Sequence, residues 1–260
     1  EDALWFELQS LAEGSEGNQW DEEGKAPDWP GVRERAIRIL GEAKHLQVAH
    51  WLTNAMLVTD GLAGLRDGIA LMFGLCRAYW GDLYPLLDDD DDDPAYARMT
   101  VLAELWVPLG AYTMGDEGVP GEFQRAMLGS HLAESKVLGA LRWRDVLAAH
   151  RPTDVRTGDS PELAAAFANL MASGDPAGTE VRADLSATKE ILAETARELN
   201  EFDAFLTGKL GSDGNLSGMR GFAACIDGMA EYVGALLAGE LQATDGGTAG
   251  AVAGAATTAT

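Results

Sequence analysis

Hydrophobic residues recur at the three- and four-residue spacing of α-helices along nearly the whole chain. Asp28-Trp29-Pro30 is typical of a helix start, because aspartate can cap the first turn and proline lacks an N–H that would have no partner there. A short strand or turn is predicted within 141–146, entering a helix near 143–149. The other helices predicted before the last third of the chain span 1–13, 32–43, 46–58, 62–80, 95–113 and 160–173. The pattern therefore predicts an all-α protein.

The most regular pattern lies in the last third of the chain, where two apolar stripes flank the turn sequence GKLGSDGN. We interpret them as two long helices that form an antiparallel hairpin with a heptad-like seam. An isolated pair would leave its seam in water, so it must pack on residues 160–173, on the N-terminal part or on a second copy. A homodimer through 180–240 is therefore one hypothesis. The residues of the seam are Leu185, Leu192, Leu199, Phe202, Met219, Phe222, Ile226, Met229 and Val233.

This pattern divides the chain into three predicted parts. An N-terminal helical domain is predicted over residues 1–150, and a second helical domain built on the hairpin over 151–240. Residues 241–260 are of low complexity and have no amphipathic period, which is typical of a flexible linker, here toward a missing C-terminal domain.

Three glycines interrupt the apolar run between residues 49 and 72. Gly61 is predicted to end one helix, because glycine adopts positive φ at little cost. Gly64 and Gly68 lie within the next helix, where each costs up to about 1 kcal/mol relative to alanine. We expect the close approach of another helix to compensate, which is a packing role rather than a ligand site.

The charge balance narrows the class of partner. The formal net charge is −23, from 42 acidic and 19 basic residues. Nucleic acid and anionic membranes both need a concentrated basic face, so neither is expected to be the main partner. No run of about 18 apolar residues is uninterrupted, so no membrane span is predicted. Cys76 and Cys225 are predicted to be buried, reduced thiols.

The run Asp88–Asp93 is the strongest hint of chemistry. It superficially resembles the DDxxD element with which prenyl-transfer enzymes hold Mg²⁺. Pro94 follows at once and no second acidic motif is present, so a solvated loop is favoured, with loose cation binding left open. No catalytic residue, cofactor site or specific metal site is predicted. Trp29 and Trp143 lie near element starts, where each could anchor a partner, although a structural role is favoured.

The stretch from Asp28 to Asp90 resembles the N-terminal ImpA-type domain of the TssA family of type VI secretion. The segment FDAFLTGKLGSDGNLSGMRGFAACI, residues 202–226, is also similar to that family's middle region. The residues that carry the N-terminal resemblance are Trp29, Arg33, Trp51, Leu52, Gly61, Leu62, Gly64, Leu65, Gly68, Trp80 and Pro85.

The resemblance implies a non-enzymatic scaffold in the bacterial cytoplasm, at the inner-membrane-anchored secretion apparatus. It implies baseplate, membrane-complex, tube and sheath proteins as partners, without a cofactor, nucleic acid or direct membrane insertion. Two alternatives remain beside it. One is a metal-dependent helical enzyme that uses the aspartate run, and the other is a helical adaptor unrelated to secretion.

Overall fold

The computed structural model describes residues 2–14, 26–88, 93–105, 122–150, 161–211 and 216–239. Helices dominate these residues, which confirms the all-α class, with one small antiparallel sheet of two strands in the described part. The elements in chain order are α1 (Asp2–Glu13), α2 (Trp29–Glu42), α3 (Leu46–Tyr79), α4 (Tyr96–Leu105), α5 (Glu122–Gly129), β1 (His131–Ser135), β2 (Gly139–Arg142), α6 (Trp143–His150), α7 (Pro161–Ala172), α8 (Pro176–Leu210) and α9 (Ser217–Ala238).

Helix α3 is two helical segments joined at an elbow. Gly61 has φ 64° and ψ −145°, so the predicted helix end at this glycine is confirmed. The second segment folds back on the first. A Cβ on Gly64 would lie 2.1 Å from the Met56 carbonyl oxygen, and one on Gly68 would lie 2.6 Å from Thr53 Cγ2. This is the close helix approach that the glycine spacing predicts.

The first segment of α3 forms one core with α1 and α2. Asp28 caps α2 by accepting a hydrogen bond from Gly31 N at 3.1 Å, as the sequence predicts. An exposed ion pair joins Arg35 of α2 to Glu7 of α1 at 2.6 Å. The buried side chains of this core are Leu8, Ala12, Trp29, Val32, Ala36, Val48, Trp51, Leu52 and Ala55.

A larger core lies between the second segment of α3, α5, the β1–β2 sheet, α8 and α9. The start of α8 lies beside the end of α9, where Arg182 donates to the Leu237 carbonyl at 2.8 Å. The Phe202 ring of α8 stacks on Phe73 of α3, with ring centroids 5.3 Å apart. Thr188 of α8 donates its hydroxyl to the Leu132 carbonyl of β1 at 2.8 Å. One helix pair is thus packed against elements from the first half of the chain.

This packing corrects the expectation that the hairpin seam needs a second copy of the chain to cover it, which was the reason for the homodimer hypothesis. Every seam side chain is at most 2% exposed within the single chain, because α3, α5 and β1 cover it. The seam therefore offers no apolar face to a second copy. The seam residues buried in this way are Leu185, Leu192, Leu199, Phe202, Met219, Phe222, Ile226, Met229 and Val233.

The predicted domain boundaries stay predictions. Residues 151–160 and 240–260 lie outside the described residues. The larger core contains side chains from both sides of the boundary proposed near 150–160, including Phe73 and Phe202. In the described part of the chain, α9 is the one helix whose length and mean hydropathy of 1.3 could suit a membrane, a test that core helices also pass. It carries Arg220, Asp227 and Glu231.

The elbow contact predicts a position-specific cost of adding one methyl group. Gly64→Ala should lower the free energy of unfolding by about 1–3 kcal/mol or more, because the new Cβ meets main-chain atoms that belong to a packed helix. Gly74→Ala on the same helix is the matched control, since its Cβ would meet no atom within 4 Å. The control should be neutral or stabilising by up to about 1 kcal/mol. Urea denaturation followed by circular dichroism measures both, and equal values for the two variants would contradict the account.

Candidate interaction site

An open groove of about 770 Å³ lies where the α3 elbow faces the end of α5 and one side of α8. We call it the elbow groove. Its lining residues are Trp29, Leu57, Val58, Thr59, Asp60, Gly61, Leu62, Ala63, Arg125, Ala126, Gly129, Ser130, His131, Thr188 and Ile191.

The elbow wall of the groove is fixed to α2 by a polar contact. Arg33 donates to Asp60 Oδ2 at 2.6 Å and to Thr59 Oγ1 at 3.2 Å. Both charged side chains are about two-fifths exposed, so the pair adds at most about 1 kcal/mol to stability. Its structural effect is to hold the rim of the elbow at one distance from α2. Arg33, a motif residue, therefore contacts two lining residues of the groove.

The opposite wall is held by hydrogen bonds around Ser130. The Ser130 hydroxyl donates to the Ala126 carbonyl at 3.0 Å, and Trp143 N donates to the Ser130 carbonyl at 3.1 Å. These bonds join α5, β1 and α6 at one point. Side-chain contacts thus hold the elbow wall, whereas hydrogen bonds to main-chain carbonyls hold the opposite wall.

The lining of the groove is chemically mixed. Leu57, Leu62 and Ile191 supply apolar surface, and Val58 is 44% exposed at the rim. The ionisable residues of the lining are Asp60, Arg125 and His131, of which Asp60 is already ion-paired with Arg33. Protein-binding surfaces likewise combine apolar and polar side chains.

The motif residues fall into separate places in the structure. Trp29, Gly61 and Leu62 line the elbow groove. Gly64, Leu65 and Gly68 pack beneath it in the elbow contact, and Trp51 and Leu52 lie in the N-terminal core. Trp80 and Pro85 lie after the end of α3.

Trp29 and Trp143 were the two tryptophans considered as partner anchors. They are 9% and 7% exposed, so both are core residues.

Arg98 is an organising residue that the sequence did not indicate. It is fully buried, and its guanidinium donates to the carbonyls of Trp80, Leu83 and Pro85, the last at 2.7 Å. It also lies 4.8 Å from the centre of the Trp80 ring. Burial lowers the pKa of Arg98 from its ordinary value. The motif residues Trp80 and Pro85 are thus held by one buried cation.

Burial also perturbs the pKa values of several uncharged groups. It lowers the pKa of His45 and of His50 to about 4, so both imidazoles are neutral at pH 7. It raises the pKa of Cys76 and of Cys225 to about 12, which keeps these free thiols protonated. Cys76 is buried as predicted, and Cys225 is half-buried. These shifts arise from packing in the cores, away from the elbow groove.

The prediction that the chain has no specific metal site stays a prediction, and loose cation binding by the aspartate run stays open. Within the described ranges, no group of three or more His, Cys, Asp or Glu side chains is placed to hold a metal ion. Residues 89–92 of the aspartate run lie outside those ranges.

Comparison with known proteins places the N-terminal part in a family. Residues 1–106 match the family described as ImpA, N-terminal, type VI secretion system. The type VI secretion system component TssA1 of Pseudomonas aeruginosa is 40% identical over 108 residues. That alignment covers 40% of this chain and 31% of the relative, so the match spans about a third of the relative's length.

A solved structure is similar over most of the chain. It is the N-terminal domain, including the conserved ImpA_N region, of the TssA component of the type VI secretion system from Burkholderia cenocepacia. The TM-score is 0.55 at 23% identity, with 90% of this chain and 88% of the other covered. At this identity the similarity shows a shared fold.

The burial of Arg98 predicts that its substitution lowers the free energy of unfolding more than the substitution of a surface arginine does. Arg98→Met should lower the free energy of unfolding by about 3 kcal/mol, because the carbonyl of buried Leu83 and those of half-buried Trp80 and Pro85 lose their donor. Arg77→Met is the matched control, since Arg77 is exposed and lies over the Phe73 ring at 5.2 Å. The control should cost less than about 1 kcal/mol. Chemical denaturation of both variants checks this, and a similar loss in the two would refute the role given to Arg98.

The buried histidines predict a loss of stability in mild acid. An unfolded histidine has a pKa of about 6.5, so the unfolded chain takes up the proton before folded His50 does. The contribution of His50 is complete above pH 7 and falls as the pH drops from 6.5 toward 4, by about 2 kcal/mol at pH 5. His50→Gln should make the decline between pH 7 and 5 shallower, and His131→Gln, at an exposed position, is the control. Denaturation curves recorded at stepped pH values give the free energy of unfolding as a function of pH. If its decline between pH 7 and 5 is as steep in both variants as in the unchanged chain, the assignment is contradicted.

Proposed function

The chain belongs to the TssA family of type VI secretion components, and on this premise we propose that it is a non-enzymatic scaffold of that apparatus. Its proposed partners are the baseplate, membrane-complex, tube and sheath proteins, contacted during assembly. Its proposed location is the bacterial cytoplasm beside the inner-membrane-anchored machine. The premise rests on the ImpA N-terminal match over residues 1–106 and on the 40% identity to TssA1.

The elbow groove is the observation that carries the proposal. Residues of the ImpA-type motif form one of its walls, with Trp29, Gly61 and Leu62 in the lining. A glycine at the elbow and a fixed Arg33–Asp60 pair give this wall a defined shape. Preformed surfaces bind partners with a smaller ordering cost than mobile ones. A surface of this kind suits repeated docking in an assembly.

The second helical unit is proposed to be the support for this wall. Thr188 and Ile191 of α8 complete the groove, and Arg66 of α3 forms an ion pair with Glu194 of α8 at 3.0 Å. We propose that α8 and α9, the antiparallel hairpin, keep the ImpA-type part at a fixed angle to whatever follows the hairpin. The proposed boundary near 150–160 then separates a docking unit from its support.

The proposal predicts that a charge in the groove weakens capture of secretion components. Val58→Glu in the full-length protein should lower co-purification of baseplate, tube or sheath proteins about tenfold or more, because the contact must then desolvate a carboxylate. Ile37→Glu is the matched control, since Ile37 is 55% exposed on α2 and is not a lining residue.

Circular dichroism should show that both variants keep their helices. Capture by Val58→Glu at the level of the unchanged protein would reject the groove as the docking surface. Equal losses in both variants would also reject it, because the effect would then follow from added charge alone.

A further inference from the structure

One edge of the small sheet is covered by side chains of α8 rather than by a strand. Within the described chain, β1 pairs with β2 along its other edge. Three side chains of α8 contact the covered edge, and we call them the α8 row: Glu180, Asp184 and Thr188. Their four-residue spacing places them on one face of the helix, about 6 Å apart along its axis. Alternate residues of a strand lie about 6.6 Å apart, so the row follows the strand.

Two contacts of the α8 row are weak. Asp184 accepts a hydrogen bond from Glu134 N at 3.4 Å, which is longer than most hydrogen bonds of this kind. Glu180 lies 3.7 Å from Nζ of Lys136, directly after β1, and the two side chains are 65% and 87% exposed. Ion pairs this exposed contribute little to stability, because water competes for both charges. The position of β1 therefore depends mainly on the third member of the row.

The third member, Thr188, bonds a residue that lies outside the regular pairing of the sheet. Within the described strands the register shifts between His131 and Ala133, so Leu132 lies opposite no residue of β2. The Thr188 hydroxyl donates to the Leu132 carbonyl at 2.8 Å. Without this donor a half-buried carbonyl would lose its hydrogen bond, which is costly away from water. The bond therefore holds β1 against α8 at the point where the pairing is irregular.

The same threonine lies in the wall of the elbow groove. Thr188 is a lining residue, and so are Ser130 and His131, which come directly before Leu132 in the chain. A displacement of Leu132 away from α8 would carry these two residues with it and change the width of the groove. The Thr188 hydroxyl thus joins the α8 side of the groove to its β1 side.

We propose that Thr188 is a positioning residue for partner docking, because its hydroxyl, through Leu132, sets the distance between α8 and the β1 side of the elbow groove. This inference rests on the proposed function of the groove and adds the residue that fixes its width. The hydroxyl acts on β1 and needs no contact with the partner. A preformed surface binds with a smaller ordering cost, so a looser β1 should weaken capture even when no lining side chain changes in size.

Hydrogen exchange of the full-length protein tests the positioning step without a partner. Thr188→Val keeps the shape of the side chain but removes the hydroxyl, so the amides of residues 131–135 should exchange about fivefold faster. Thr188→Ser keeps the hydroxyl and should restore the original rates. Thr195→Val is the matched control, because the buried Thr195 hydroxyl of α8 donates to the Ile191 carbonyl of its own helix at 2.8 Å. The control should leave the exchange of residues 131–135 unchanged.

Co-purification of baseplate, tube or sheath proteins with the same three variants tests the consequence for docking. Thr188→Val should capture about fivefold less than the unchanged protein, whereas Thr188→Ser and Thr195→Val should capture as much. A general loss of stability would act in both valine variants, so the difference between them reports the position of β1. Circular dichroism of every variant verifies that the helices are kept.

Three results would overturn the proposal. The first is equal exchange of residues 131–135 in Thr188→Val and Thr195→Val. The second is failure of Thr188→Ser to restore exchange and capture. The third is full capture by Thr188→Val in an assay where Val58→Glu loses capture, because the groove would then dock partners without this hydrogen bond. Full capture by Val58→Glu would reject the groove itself and with it the docking role of Thr188, while the exchange rates would still show whether Thr188 positions β1.

Discussion

The close approach of two helical segments at Gly64 is the contact on which the rest of the structure depends. The main chain at Met56 comes so near that no side chain fits between the segments, and Gly61 makes the reversal that brings them together. The first segment then packs with α1 and α2, whereas the second packs with α8 and α9. One tight contact therefore joins the two cores and sets the wall of the elbow groove.

Helical periodicity was sufficient to predict most elements, because each helix buries one stripe against a core. The turn at Gly61, the cap at Asp28 and the burial of the residues from Leu185 to Val233 in the seam follow from local rules. The elements that cover that seam could not be predicted from the sequence. Phe73 of α3 is more than a hundred residues from Phe202, and no local pattern pairs them. Strand β1 was missed because its sequence, HLAES, is short and its burial does not alternate regularly.

The candidate site was less predictable than the fold. Trp29, Gly61 and Leu62 were identified by resemblance, but their meeting with Thr188 and Ile191 in one groove depends on tertiary packing. Arg98 carried no signal, because an arginine two residues after Tyr96 on an exposed-looking helix start is usually solvated. Its burial is stabilised by three carbonyls at the irregular end of α3, where the backbone leaves acceptors unused by helical bonds.

Hydrogen exchange of the full-length protein, alone and in complex with the secretion components that it captures, tests the central claim most directly. If the elbow groove is the docking surface, slowed exchange on binding should appear together in residues 57–63, 125–131 and 188–191, which are adjacent in space and far apart in sequence. Slowed exchange elsewhere, with these three segments unchanged, would contradict the account.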